Sequence, residues 1–148
     1  DMSRRIRFPT GFYQALIGWE TLNFGWALIQ DTWVQNETAQ TNMADIAFYE
    51  ANAPEYARQV MTLPTVSIIY PVAVNLPGRI EFGSGDPSFG ELTGGETLTS
   101  LVLYNNVANN DALSPIVCSY PCYYVCTGLY AADFLMASTG TIGVSTVC

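Results

Sequence analysis

Thr97-Leu98-Thr99-Ser100-Leu101-Val102-Leu103-Tyr104-Asn105 decides the architecture. It is rich in Leu, Val and Thr and lacks Gly, Pro and any charge. Gly94-Gly95 marks a turn before it, and the Asn105–Asn110 run with Asp111 marks a loop after it. An uncharged run of this kind between turn signals predicts a strand.

The same reading extends in both directions. Gly25–Gln30 predicts a buried strand ended by Asp31, and Tyr56–Leu63 predicts another. Val66–Val74 is apolar on both faces, with Pro71 favouring an edge position or a bend. Arg79–Phe82 alternates and predicts a half-buried strand, followed by a turn over Gly83–Pro87. Pro115–Cys118, Cys122–Cys126, Phe134–Ala137 and Thr141–Val147 complete the set. Helical signals are confined to one turn near Phe12–Ile17 and a short helix over Met43–Ala51 capped by Asn42. The expected class is therefore all-β with one or two short helices: a β-sandwich, either jelly-roll or immunoglobulin-like. Residues 9–148 form one domain in this reading, behind a basic N-terminal arm over residues 1–8.

Composition narrows the chemistry. The chain has 148 residues, five arginines, no lysine and no histidine. A Ser-His-Asp triad, a Cys-His pair, a His-ligated metal and a lysine-dependent phosphate loop are thereby excluded. Paired carboxylates are the remaining catalytic route, with Glu81, Asp86, Glu91 and Glu96 as candidates. Their positions suit solvated turns better, so no enzyme and no cofactor is expected. The net charge of −8 argues against nucleic-acid binding. Residues 63–76 are apolar, but Pro64 and Pro71 break them and they are too short for a membrane span. No secretory leader is expected.

Charged residues are only 12% of the chain against 49% hydrophobic, which leaves a surface suited to partners. Arg4, Arg5 and Arg7, followed by Phe8, could dock on an acidic neighbour. Val66, Ile68, Ile69, Tyr70, Val72 and Val74 supply an apolar contact strand, and Tyr123 and Tyr124 a second patch or part of the core. Trp19, Trp26 and Trp33 are assigned to the core. Arg58 and Arg79 are expected to pair with carboxylates or backbone carbonyls. The Asn105–Asp111 cluster reads as a turn, with a calcium loop as its alternative. Cys118, Cys122 and Cys126 share strand parity and read as small buried hydrophobes in a reducing compartment. A disulfide, with Cys148 as one candidate participant, and a metal site are the other readings.

Two stretches carry a family likeness. Leu16–Thr62 contains Trp26-Ala-Leu-Ile-Gln-Asp31, Ala44-Asp-Ile46, Glu50 and Tyr56-Ala-Arg58. Phe82–Cys118 contains Asp86-Pro-Ser-Phe89, Gly94-Gly-Glu-Thr97, Leu101-Val-Leu-Tyr104 and Ser114-Pro115. In this order they resemble small virion structural proteins of tailed bacteriophages, of the head decoration or cement type. The resemblance implies a capsid location in the virion after assembly in the host cytoplasm. It also implies the major capsid protein as partner and a homo-oligomer, a trimer being favoured. The cysteine-rich end and the arginine arm depart from the family pattern. A tail-tip or receptor-binding module, recognising a host glycan or protein, is the alternative function.

Overall fold

The computed structural model describes residues 6–69, 78–136 and 142–146. Its centre is an antiparallel sheet of five strands: β1 (Ile6–Arg7), β2 (Phe24–Gln30), β3 (Gln59–Val60), β7 (Thr97–Asn105) and β8 (Ile116–Val125). They lie in the order β1-β8-β7-β2-β3. β7 occupies the middle because its side chains are apolar on both faces. Leu98, Leu101 and Leu103 enter one core with Trp26 and Leu28, whereas Val102 and Tyr104 enter a second with Ala27 and Ile29. The register shifts between Leu98 and Ser100, opposite Pro121. Proline has no N–H for a ladder, so an irregularity of this kind accommodates it within a strand. The two strands expected over Pro115–Cys118 and Cys122–Cys126 are consequently one, β8, running through Pro121.

A second antiparallel sheet, in the order β10-β5-β4, comprises β4 (Thr65–Ile69), β5 (Gly78–Gly83) and β10 (Ile142–Thr146). A third pairs β6 (Ser88–Glu91) with β9 (Ala131–Asp133). The fold is thus all-β with a single α-helix, α1 (Pro9–Gly18), and isolated 3-10 turns among the described residues.

α1 is longer than the single turn expected. Pro9 starts it, where a missing N–H costs nothing and φ is already helical. The helix lies against β8 because Gly11 permits it: a Cβ there would sit 2.0 Å from the Ile116 carbonyl oxygen. The Met43–Ala51 helix is instead two 3-10 turns, Met43–Asp45 and Ala47–Tyr49. Asp45 secures the first by accepting from the backbone N–H groups of Thr41 and Asn42 at 2.9 and 3.1 Å.

Three further expectations are corrected. The Tyr56–Leu63 strand shrinks to Gln59–Val60, because Tyr56 and Arg58 are held by side-chain bonds instead. The Phe134–Ala137 strand is displaced to Ala131–Asp133; Phe134 packs on Phe89, ring centres 6.1 Å apart. The basic arm does not extend to residue 8. Ile6 and Arg7 pair with Ser119 and Cys118, and Phe8 is buried against Trp33. The three tryptophans are core residues, as the sequence predicts.

Candidate functional site

Arg58 is the most heavily bonded charge in the described structure. Its Nε and Nη2 donate to the two Glu50 carboxylate oxygens, each at 2.7 Å. Nη1 and Nη2 donate to the two oxygens of Asp111 at 2.8 and 2.9 Å. The guanidinium lies 5.2 Å from the centre of the Tyr104 ring. Tyr56 completes the cluster: its hydroxyl donates to Glu50 at 2.6 Å and accepts from the Leu28 N–H at 3.2 Å. Gly25 faces Tyr104 across β2 and β7, and a Cβ there would lie 2.7 Å from the phenol oxygen. The absence of a side chain at 25 therefore leaves room for the ring.

The electrostatics are those of a closed clamp. Hydrogen bonds from Arg58 hold the Asp111 carboxyl below its usual range, and bonds to Glu50 and Asp111 push the guanidinium further up. Burial, reinforced by Glu50, raises the Tyr56 hydroxyl; burial also raises that of Tyr104. One arginine between two carboxylates leaves a net negative cluster, unsuited to an anionic ligand. Pairing of Arg58 with carboxylates is as expected; Arg79 takes part in β5, opposite Ile69.

The clamp also accounts for the Asn105–Asp111 segment. Both Asp111 oxygens are engaged by Arg58. Asn110 accepts from the Ala112 N–H at 3.0 Å, Asn106 donates to Asn109 at 2.9 Å, and Ala108 and Asn109 have φ of 54° and 51°. These are turn interactions. Among the described residues no group of three or more His, Cys, Asp or Glu side chains is placed to hold a metal ion. Of the candidate acids, Glu96 accepts from the N–H groups of Asn52 and Ala53, and Asp86 from that of Met136.

Of the three free cysteines that are described, Cys118 and Cys122 lie on β8 and Cys126 directly follows it. Cys118 and Cys126 are buried in the main core, and Cys122 packs against it. Burial pushes the Cys122 thiol up to about 12 and the Cys126 thiol up to about 11. Cys148 lies outside the described residues, and so does any pairing with it.

A different region carries the exposed apolar surface. The β4–β5 register sets Val66 beside Phe82 and Ile68 beside Ile80 on one face. Val66 is 39% exposed, Ile68 60% and Ile17 at the end of α1 73%. With Leu16, Trp19 and Phe82 they border a groove of about 330 Å³. Trp19 fixes the sheet to the body: its indole N–H donates to the Gly83 carbonyl at 2.9 Å and its ring meets Phe82 edge-on at 5.7 Å.

The contact residues expected from sequence divide accordingly. Val66 and Ile68 share this open face. Arg7 is exposed, with its guanidinium 4.9 Å from the centre of the Phe12 ring. Tyr123 is 75% exposed, on β8. Phe8 and Tyr124 are corrected to core residues. The Tyr124 hydroxyl donates to the Tyr130 carbonyl at 2.7 Å and accepts from the Leu92 N–H at 3.1 Å, so it faces inward. Ile69 is the last residue of β4. Arg4, Arg5, Tyr70, Val72 and Val74 lie outside the described residues. Ile17 was not foreseen as a contact, since one helical turn gave no indication of which side would stay open.

No helix among the described residues is long and apolar enough to cross a membrane. No protein-family model, curated protein or solved structure matches the chain.

Proposed function

We propose that this chain is a structural protein of a tailed-bacteriophage virion, a decoration or cement protein that binds the major capsid protein and stabilises the assembled head. The observation that carries the reading is the exposed apolar pair Val66 and Ile68 on β4, with Ile17 at the border of the same groove. It occurs on a chain with only 12% charged residues and no lysine. Contiguous apolar surface of this kind is a feature of interaction sites. The motif order Trp26–Asp31, Tyr56–Arg58, Gly94–Thr97 and Leu101–Tyr104 supplies the phage context by resemblance. Arg58 supports a rigid-body role, because its bonds are directed inward to Glu50 and Asp111.

A protein that binds only the assembled lattice adds its binding free energy to lattice stability by mass action. Several weak contacts per oligomer then suffice, since avidity multiplies them. In this reading Val66, Ile68 and Ile17 supply apolar contact, and Arg7 with residues 1–5 reaches an acidic neighbour.

The test is the ratio of this protein to the major capsid protein in purified particles. Stoichiometric abundance, and heads that burst at lower temperature when the protein is stripped, are expected. The few copies typical of a tail protein would transfer the assignment to the tail-tip alternative. Removing residues 1–5 should reduce head occupancy while leaving the fold intact; unchanged occupancy refutes the role of the arm. The deletion stops at residue 5 because Phe8 belongs to the core.

A further inference from the structure

We propose that β4 pairs antiparallel with β4 of a second copy of this chain, centred on Ser67, making one continuous sheet across a twofold axis. The proposal rests on the reading of the β4 face as a contact surface, but not on the capsid as partner.

The first observation is the free edge. β4 is an edge strand among the described residues: it pairs with β5 alone, and the outer side of Thr65–Ile69 meets no ladder partner among them. Proteins that stay monomeric commonly blunt such an edge with lysine, proline or an inward charge. β4 reads Thr-Val-Ser-Ile-Ile and contains none of these.

The second observation is charge. The chain carries a net −8, which opposes self-association through most of its surface. From Gln59 to Gly78, between Arg58 and Arg79, there is no charged residue. Two β4 strands therefore meet without placing like charges opposite each other.

The third is self-complementarity. With Ser67 on the axis, Val66 of each copy faces Ile68 of the other. Two β-branched cross-strand pairs form by symmetry, a pairing that stabilises sheets. Both side chains are exposed in the single chain and lie on the groove face, with Ile17 at its border. The same strand is thus both the exposed template and the apolar segment that fits it.

The topology favours a second β4 over β10 as the occupant. β4 and β10 both run antiparallel to β5, hence parallel to each other. Adding β10 of another copy with both sheets facing the same way would give a parallel pair, which is less stable per residue. It would also be head-to-tail, which produces open chains unless the rotation closes. A β4–β4 pair is antiparallel and closed after two copies. It departs from the threefold assembly that the family resemblance implies.

Sedimentation equilibrium of the full chain tests this, together with paired charge variants. The unsubstituted protein should be a dimer. Ile68→Glu should weaken association by about tenfold or more, and Val66→Glu should do likewise. The double variant Val66→Glu/Ile68→Lys should regain dimerisation, because each new acid then faces a new base across the axis. Circular dichroism should show every variant folded, since both positions are exposed. Ser67→Cys should give a disulfide-linked dimer under mild oxidation that the unsubstituted chain does not, as facing strand residues lie roughly 4.5–5.5 Å apart. A monomer at all concentrations, an oligomer indifferent to Ile68→Glu, or a double variant as weak as the single ones would overturn the pairing. Those results leave the decoration reading standing. Low copy number in particles with the dimer intact would remove that reading and leave the pairing.

Discussion

Arg58 and Glu50 form a bidentate ion pair, Nε and Nη2 each 2.7 Å from a carboxylate oxygen, and the same guanidinium grips Asp111 from its other side. The clamp joins the segment ahead of β3 to the turn ahead of β8. Lysine cannot reproduce a planar fork serving two carboxylates. Arg58→Lys is expected to lower unfolding stability by about 2–3 kcal/mol, reduced from the fully buried case because the pair is partly exposed. Urea unfolding checks this, and a loss below about 0.5 kcal/mol, the scale of an exposed pair, would show the clamp to be ornamental.

The clamp also gives a pH dependence with a defined sign. Hydrogen bonds from Arg58 depress the folded-state pKa of Asp111 below the ordinary aspartate value of 3.8. Its stabilisation is therefore present above that value and is lost as pH falls through the lower, folded one. Asp111→Asn should consequently be less stable than the parent at pH 6, with the gap narrowing on acidification below about pH 4. Thermal melts of both proteins across this range measure it; a gap that widened towards acid would contradict the assignment.

Gly11 determines how closely α1 approaches β8. Gly11→Ala places a methyl group against the Ile116 carbonyl, which cannot yield as a side chain would. The expected loss is about 1–3 kcal/mol. Gly90→Ala is the contrast: no atom lies within 4 Å of the added carbon, but φ is 73°, so its cost is conformational. Denaturant midpoints of the two variants separate crowding from backbone strain only if the Gly11 variant also loosens helix packing, seen as faster amide exchange over Phe12–Leu16.

Tyr123 and Tyr124 are neighbours with opposite fates. Tyr124→Phe strands the Leu92 N–H and the Tyr130 carbonyl and should cost about 1–3 kcal/mol. Tyr123→Phe, at a 75% exposed position, should fall within about 0.5 kcal/mol of the parent. Equal losses in urea unfolding would mean that the inward and outward assignments are wrong.

Thiol chemistry follows burial. With Cys122 pushed up to about 12 and Cys126 up to about 11, little thiolate exists at neutral pH. A Cys148→Ser variant should therefore react slowly with a disulfide reagent at pH 7 when folded, and quickly in denaturant. Fast labelling of Cys122 in the folded protein would refute its packing against the core.

The strands that were legible in the sequence share one property. β2, β5 and β7 have few residues whose side chains need a partner far away, so local pattern and turn signals suffice. Tyr56–Arg58 failed as strand because its hydroxyl and guanidinium are bound to Glu50 and Asp111, and the latter is 53 residues distant. No periodicity encodes that. The union of two predicted strands into β8 was hidden by Pro121, whose accommodation depends on the register of β7 beside it. The apolar character of Val66 and Ile68 was visible; that they remain open while Phe8 and Tyr124 close inward depends on tertiary packing.

Phe8 gives the amino end a mechanical character. The two residues before it are stitched to Ser119 and Cys118, its own N–H donates to the Val117 carbonyl at 3.0 Å, and its ring is wedged against Trp33. A pull on the first residues would therefore load the opening residues of β8 through a buried aromatic plug. Tension delivered there is shared by the central sheet, so an anchor at this end would hold like a rivet instead of paying out like a leash.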